Sequence, residues 1–273
     1  LRRVENLVQR QAIYPPCELN PSLLIKRLLI PHPNFQYTSQ KVIKMHILLL
    51  GATGRTGTVI LSEALSRGHT VTALVRSADS ITPRPGLTIV EGSPLDLSYL
   101  DTAFTSPYCP GSIIVALASV RKSDSPFSPS ISPPRLMADT HKNIVTLMKK
   151  HKVERVVTLQ AFGTGESRKE VFAPMRWVME CSPMSVGMRD HEMVDQEMKL
   201  VMKEQTGKGI KWTGIRACML SDGEKKEVTS WGNSGKGVGL VPSVSRRSVA
   251  GFLVDVVEDG STKWVGETPV VSD

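Results

Sequence analysis

Aromatic residues make up only 5% of this 273-residue chain, cysteine occurs four times, and no apolar run is long enough to cross a bilayer. Cys17, Cys109, Cys181 and Cys218 are far apart, which gives no zinc-ligand spacing and argues against a secreted disulfide scaffold. The expected setting is reducing and cytoplasmic, with no metal site and no membrane partner. An acidic excess is also missing: the formal charge is +8, which raises nucleic acid as a partner. The distribution weakens that reading, because residues 1–45 hold seven Lys/Arg against two Asp/Glu, a net +5, and leave +3 for the remainder. With no aromatic-rich platform and no zinc-finger spacing, nucleic-acid binding is not expected.

What is present is a globular composition, 40% apolar and 22% charged, with 18 prolines marking irregular connections. Residues 1–44 read as a poorly ordered basic tail that catalysis does not need. Leu1, Val4, Leu7 and Val8 trace a short amphipathic stretch, which Pro15-Pro16, Pro31 and Pro33 interrupt. Glu5, Glu18 and these prolines depart from a mitochondrial presequence. The fold is expected to begin at Met45 and to occupy residues 45–273, with substrate-side elements mainly in 161–245.

The segment from Met45 to Leu50 is an apolar strand that empties into Gly51-Ala52-Thr53-Gly54-Arg55-Thr56-Gly57. Glycines at this spacing permit a tight turn, close backbone approach to a pyrophosphate and close helix packing, and the next helix offers its first N–H groups to the anion. Val59, Ile60, Ala64 and Leu65 make the helical stripe that follows, and Gly68-His69 separates it from the strand 70–75. Strand, glycine turn, helix and strand within about thirty residues is a mononucleotide-binding βαβ unit. Arg76 follows the second strand, where an acid would hold a ribose 2′-hydroxyl, and a cation there suits a 2′-phosphate. With Arg55 able to approach the same region, NADP(H) ranks ahead of NAD(H) as cofactor.

Alternation continues, and the fold class read from it is α/β, a Rossmann-like doubly wound and mostly parallel sheet with a small C-terminal substrate lobe. Strands are expected at 87–90, 112–118, 153–160, 211–216 and near 263–266; helices are expected from Asp96, over 135–150 and 188–203, and along Val249, Phe252, Leu253, Val256 and Val257. The proline-rich segment 122–134 is expected to be a flexible substrate-side loop, and 166–187 reads as irregular, with Trp177 and Met179 placed to cover an apolar substrate. Gly232, Gly235, Gly237 and Gly239 mark a loop without the Lys-Ser/Thr ending of a nucleoside-triphosphate site.

The ordered set GATGRTG at 51–57, TALVR at 72–76, the helix from Asn143 to His151, RVVTLQAFG at 155–163 and KWTGIR to LSDG at 211–223 resembles the NmrA-like and biliverdin or flavin reductase-like atypical short-chain dehydrogenases, through nearly all of residues 45–270. The resemblance implies NADP(H) binding, a substrate pocket beyond the carboxyl edge, Ser93 and Pro94 beside adenine, and Arg121 and Gln160-Ala161-Phe162 toward the nicotinamide. Ala118, at the end of its strand, joins the cofactor-side set. Gln160 stands where those reductases resemble one another in a serine, and WTGIRACML lacks the proline expected near Ala217.

A Tyr-x-x-x-Lys pair inside the fold is missing too: Tyr37 and Lys41 have the spacing but precede it. The preferred acid/base neighbourhood is Asp190-His191-Glu192, with His191 titrating near neutrality and Asp195, one turn on, as its better-placed partner. Ser119 and Gln160 are candidates for orienting an acceptor. Three readings follow: an NADPH-dependent oxidoreductase passing hydride to a conjugated or aromatic acceptor such as a flavin, quinone or polyketide intermediate; a non-hydride tailoring enzyme of fungal secondary metabolism; or an NmrA-like dinucleotide sensor with a protein partner.

Overall fold

The computed structural model describes residues 44–123, 125–204 and 209–273, so the tail, apart from Lys44, lies outside the described residues. The first half runs β1 (His46–Leu50), α1 (Arg55–Ser66), β2 (Thr70–Val75), β3 (Leu87–Glu91), α2 (Leu97–Thr105), β4 (Ser112–Val115) and α3 (Leu136–His151). The second runs β5 (Arg155–Ala161), α4 (Ala173–Cys181), α5 (Met184–Glu204), β6 (Lys211–Ala217), β7 (Met219–Ser221), β8 (Thr229–Ser230), β9 (Ser243–Ser245), α6 (Arg246–Glu258) and β10 (Val270–Ser272).

Eight strands form one sheet in the order β3-β2-β1-β4-β5-β6-β10-β8, parallel except for β8 against β10, while β7 and β9 make a separate parallel pair. Strand β1 shows why the sheet is covered on both faces. Ile47 and Leu49 enter the core under α1 and α6, whereas Leu48 and Leu50 enter the core under α2, α3 and α5. All four are buried, each side chain stabilising the fold by about 1.5–3 kcal/mol. The strand order reverses between β1 and β4, and in doubly wound sheets the crevice beyond the carboxyl ends at that point receives the ligand.

Two expectations need correction. The last strand is not at 263–266: the Val265 N–H turns back to the Thr262 carbonyl, Gly266 has φ 81°, and Trp264 packs edge-on against Phe252. The buried Val270 and Val271 instead pair with Arg216 and Ala217 of β6. Segment 166–187 is not irregular but holds a 3₁₀ turn at Gly165–Glu170, all of α4 and the start of α5. The expected loop 122–134 is joined at its root by backbone contacts, with the Ile131 N–H donating to the Val120 carbonyl at 2.9 Å and Arg121 bridging Ser130. Among the described residues no helix is long and apolar enough to cross a membrane.

Candidate functional site

At the crevice Gly51 has φ 88°, and a Cβ built on it would lie 2.5 Å from the Ala116 carbonyl oxygen beyond β4. A Cβ on Gly57 would lie 1.9 Å from the Gly51 oxygen, so α1 can seat on the turn only without a side chain there. Gly54 is the N-cap of α1; no side chain caps the helix and no acid sits in its first turn. In α2 and α6 side chains perform that task, Asp96 and Ser245, while α4 shares the lack of a side-chain cap. A turn that two glycines let close against β4 and α1, beside an uncapped helix terminus, fits a pyrophosphate. Thr53 is exposed at the rim, Thr56 is buried beneath it, and Arg55 is exposed at the first position of α1.

Neighbouring strand ends supply the other cofactor-side candidates. Arg76, just beyond β2, is exposed and has no side-chain partner among the described residues. Beyond β3, Pro94 is buried and the Asn143 amide of α3 donates to the Pro94 and Leu95 carbonyls, both at 3.1 Å, while the Ser93 hydroxyl accepts the Leu95 N–H. Beyond β4, Ala118 is exposed, and the half-buried Ser119 hydroxyl lies 2.8 Å from that of Ser130. A Cβ on Gly187 would stand 3.2 Å from that of Ser119, which brings this loop against the start of α5.

The catalytic candidates gather between β5, β6, α3 and α5, but not in the expected pairing. Asp195 does not hold His191. Its carboxylate meets Arg216 of β6 at 3.1 Å and Lys199 at 3.0 Å, because a fully buried guanidinium needs a counter-charge more than an imidazole does. Burial lowers the Arg216 pKa from its ordinary value, and Asp195 works against that shift. Gly165 makes the pair possible, since a Cβ on it would come within 2.3 Å of the Arg216 Nη2. Asp190 is also committed elsewhere, accepting the Met137 and Ala138 N–H groups at 2.8 and 2.9 Å and so capping α3 from α5.

His191 does not titrate near neutrality either. Burial, with His141 close by, pushes its pKa down to about 4, so the ring is neutral at ordinary pH. Burial does the same to His141, also to about 4. The tautomer of His141 follows from its partners: Nδ1–H donates to the Met137 carbonyl at 2.7 Å, leaving Nε2 to accept the Thr158 hydroxyl at 2.8 Å. Thr158 in turn accepts the Trp212 indole N–H at 3.1 Å. That chain is satisfied. By contrast, Gln160 Nε2 and Oε1, His191 Nδ1 and Thr140 Oγ1 are buried with no hydrogen-bond partner. Each such group costs roughly 1–3 kcal/mol, the deficit expected where a ligand or water completes a site.

Sequence reasoning missed Arg216, His141, Thr158 and Trp212 as members of this layer. The alternation of β5 and β6 offered the one available signal: Thr158, Gln160 and Arg216 are polar residues on strands whose neighbours are apolar.

Sheet order, glycine cradle and uncapped helix together define a Rossmann-type dinucleotide-binding protein. The chain belongs to the NAD(P)H-binding family, whose profile matches residues 51–260. Among solved structures it is similar to ChuY, an anaerobillin reductase of Escherichia coli O157:H7, at 16% identity over 83% of this chain and 96% of that one, with a TM-score of 0.62. The Lactococcus lactis oxidoreductase ylbE matches at 14% identity over 84% and 91%, with a TM-score of 0.63. A wide-type short-chain dehydrogenase/reductase of Veillonella parvula in complex with NADP matches at 18% identity over 84% and 94%, with a TM-score of 0.62. At these identities the likeness is one of fold.

Proposed function

We propose that this protein is an NADPH-dependent oxidoreductase of the atypical short-chain dehydrogenase type, passing hydride to a conjugated or aromatic acceptor. One observation carries the reading: a single sheet edge holds both an anion cradle and a buried amide, that of Gln160, with neither donor nor acceptor satisfied. Gly51, Gly54 and Gly57 hold the pyrophosphate against the start of α1, and Arg76, with Arg55, meets the 2′-phosphate. When bound, the reduced nicotinamide supplies the hydride. Gln160 orients the acceptor by hydrogen bonding, and neutral His191 contributes its uncommitted Nδ1 as a polar contact. The balancing proton comes from solvent, because both buried histidines are neutral and Asp190 and Asp195 are committed to other partners. Phe127 and Trp177, in the connections beyond β4 and β5, are 62% and 61% exposed and supply the apolar surface a conjugated acceptor needs.

The test is NADPH oxidation with flavin, biliverdin and quinone acceptors, followed by product mass. Stoichiometric reduction of one of them above the background reaction is expected. A rearranged product without net reduction moves the protein to the tailoring class. The commitment of both aspartates beside His191 favours one second reading, a dinucleotide sensor. Tight NADPH binding, reproducible capture of a protein partner and no turnover across the acceptors would establish it in place of the reductase.

A further inference from the structure

Beyond β5 the chain passes through the 3₁₀ turn into α4, and Arg168, Lys169 and Arg176 line one concave patch there with Gly165 and Glu180. The charges do not balance. Glu180 is taken by Arg168 at 2.9 Å, and nearby Glu166 faces Lys199 at 3.5 Å. Lys169 and Arg176 have no ion-pair partner among the described residues. The helix bearing Arg176 buries none of its residues, and Phe172, Met175 and Trp177 around it are 45%, 40% and 61% exposed. Lys169 and Arg176, the latter offset in part by the Glu180 charge, share one stretch of chain with exposed aromatic residues, a composition complementary to a ligand that is both anionic and flat.

The position of the patch matters as much as its composition. Gly165 is its floor and touches the buried Arg216–Asp195 pair, which places the patch over the carboxyl ends of β5 and β6. That is the edge carrying the glycine turn and Gln160. We infer that the patch receives a carboxylate carried by the conjugated acceptor, with Lys169 and Arg176 on the carboxylate and Phe172 and Trp177 toward the apolar body. The substrate class is thereby an aromatic or conjugated acid in preference to a neutral quinone. This inference rests on the reductase reading for the word substrate, but the anion site itself does not.

The experiment therefore has a binding arm and a turnover arm. Pyrenebutyrate and its methyl ester are titrated by fluorescence into the full chain and into a Lys169→Gln, Arg176→Gln double variant. Lys169 is exposed and Arg176 half-buried, and neither makes an ion pair among the described residues, so the changes should leave stability within about 0.5 kcal/mol. Binding of the acid is expected to weaken about tenfold, the sum of two exposed charge contacts, with ester and NADPH binding unchanged. Equal weakening of acid and ester, or no change in either, overturns the site. In the turnover arm, KM for an acidic acceptor rises in the double variant while KM for its ester does not. Selective loss of acid binding without turnover of any acceptor would keep the anion site and remove the reductase reading.

Discussion

Helices α1 and α3 both start at the carboxyl edge of the sheet, and their first turns are completed in opposite ways. In α1 the N-cap is Gly54 and no side chain reaches the terminus; in α3 the Asp190 carboxylate arrives from α5 and takes the N–H groups of Met137 and Ala138. Both termini carry the same partial positive charge and the same kind of unpaired donors. What separates them is who supplies the anion. The fold supplies it for α3, in a buried contact between Met137 and Asp190, 53 positions apart in the chain, and an outside ligand is left to supply it for α1. Of the two aspartates flanking His191 on α5, the one that looked like an acid/base partner by adjacency is thus part of the scaffold.

The largest effect is expected from prising the turn away from the open terminus of α1. Gly57→Ala puts a Cβ 1.9 Å from a backbone oxygen that no rotamer change can move. The variant should lose about 3 kcal/mol in urea unfolding, as severe overpacking does, together with measurable NADPH binding. Unchanged affinity at nearly unchanged stability would show that α1 does not need its close seat on the turn, and the contrast with α3 would collapse.

Opening the closed terminus should cost less and spare the cofactor. Asp190→Ala leaves two buried N–H groups without an acceptor and should lower stability by about 2 kcal/mol. Asp190→Asn should recover part of that, since its carbonyl can still accept one of the two bonds. NADPH affinity should stay at the parent value in both variants. If it fell while urea stability held, the α3 terminus would belong to the ligand site and the division between the two helices would be wrong.

The same division explains what could be read from the residues alone. The cradle was legible because its constraints are local: Gly51 needs a positive φ, and Gly57 sits six residues from the atom its Cβ would strike. Buried strands such as β5 were legible as apolar runs. The region after β5 was harder, because its prolines and glycines read as breaks. Pro174 lies in the first turn of α4, where a missing N–H costs nothing, and Gly187 lies inside α5, where a side chain would press on Ser119. His191 and Asp195 have the right helical spacing to meet. Arg216 takes Asp195 instead, and that preference depends on how deeply β6 is buried, which no local pattern states.

The finest test of the open terminus concerns its rim. Arg76 leaves β2 exposed and without a side-chain partner, so its charge contributes nothing to the described fold that a ligand would have to displace. Arg76→Ala should therefore leave urea stability within about 0.5 kcal/mol of the parent, as for other surface changes. NADPH affinity should fall about tenfold, or about 1.4 kcal/mol, the scale of one charge-assisted contact made partly in solvent. NADH lacks the 2′-phosphate and should bind the variant as it binds the parent. An equal loss for both dinucleotides would move Arg76 from the 2′-phosphate to a contact shared by both cofactors. Any preference of the parent for NADPH over NADH would then have to come from Arg55, which the same pair of titrations on Arg55→Ala would show directly.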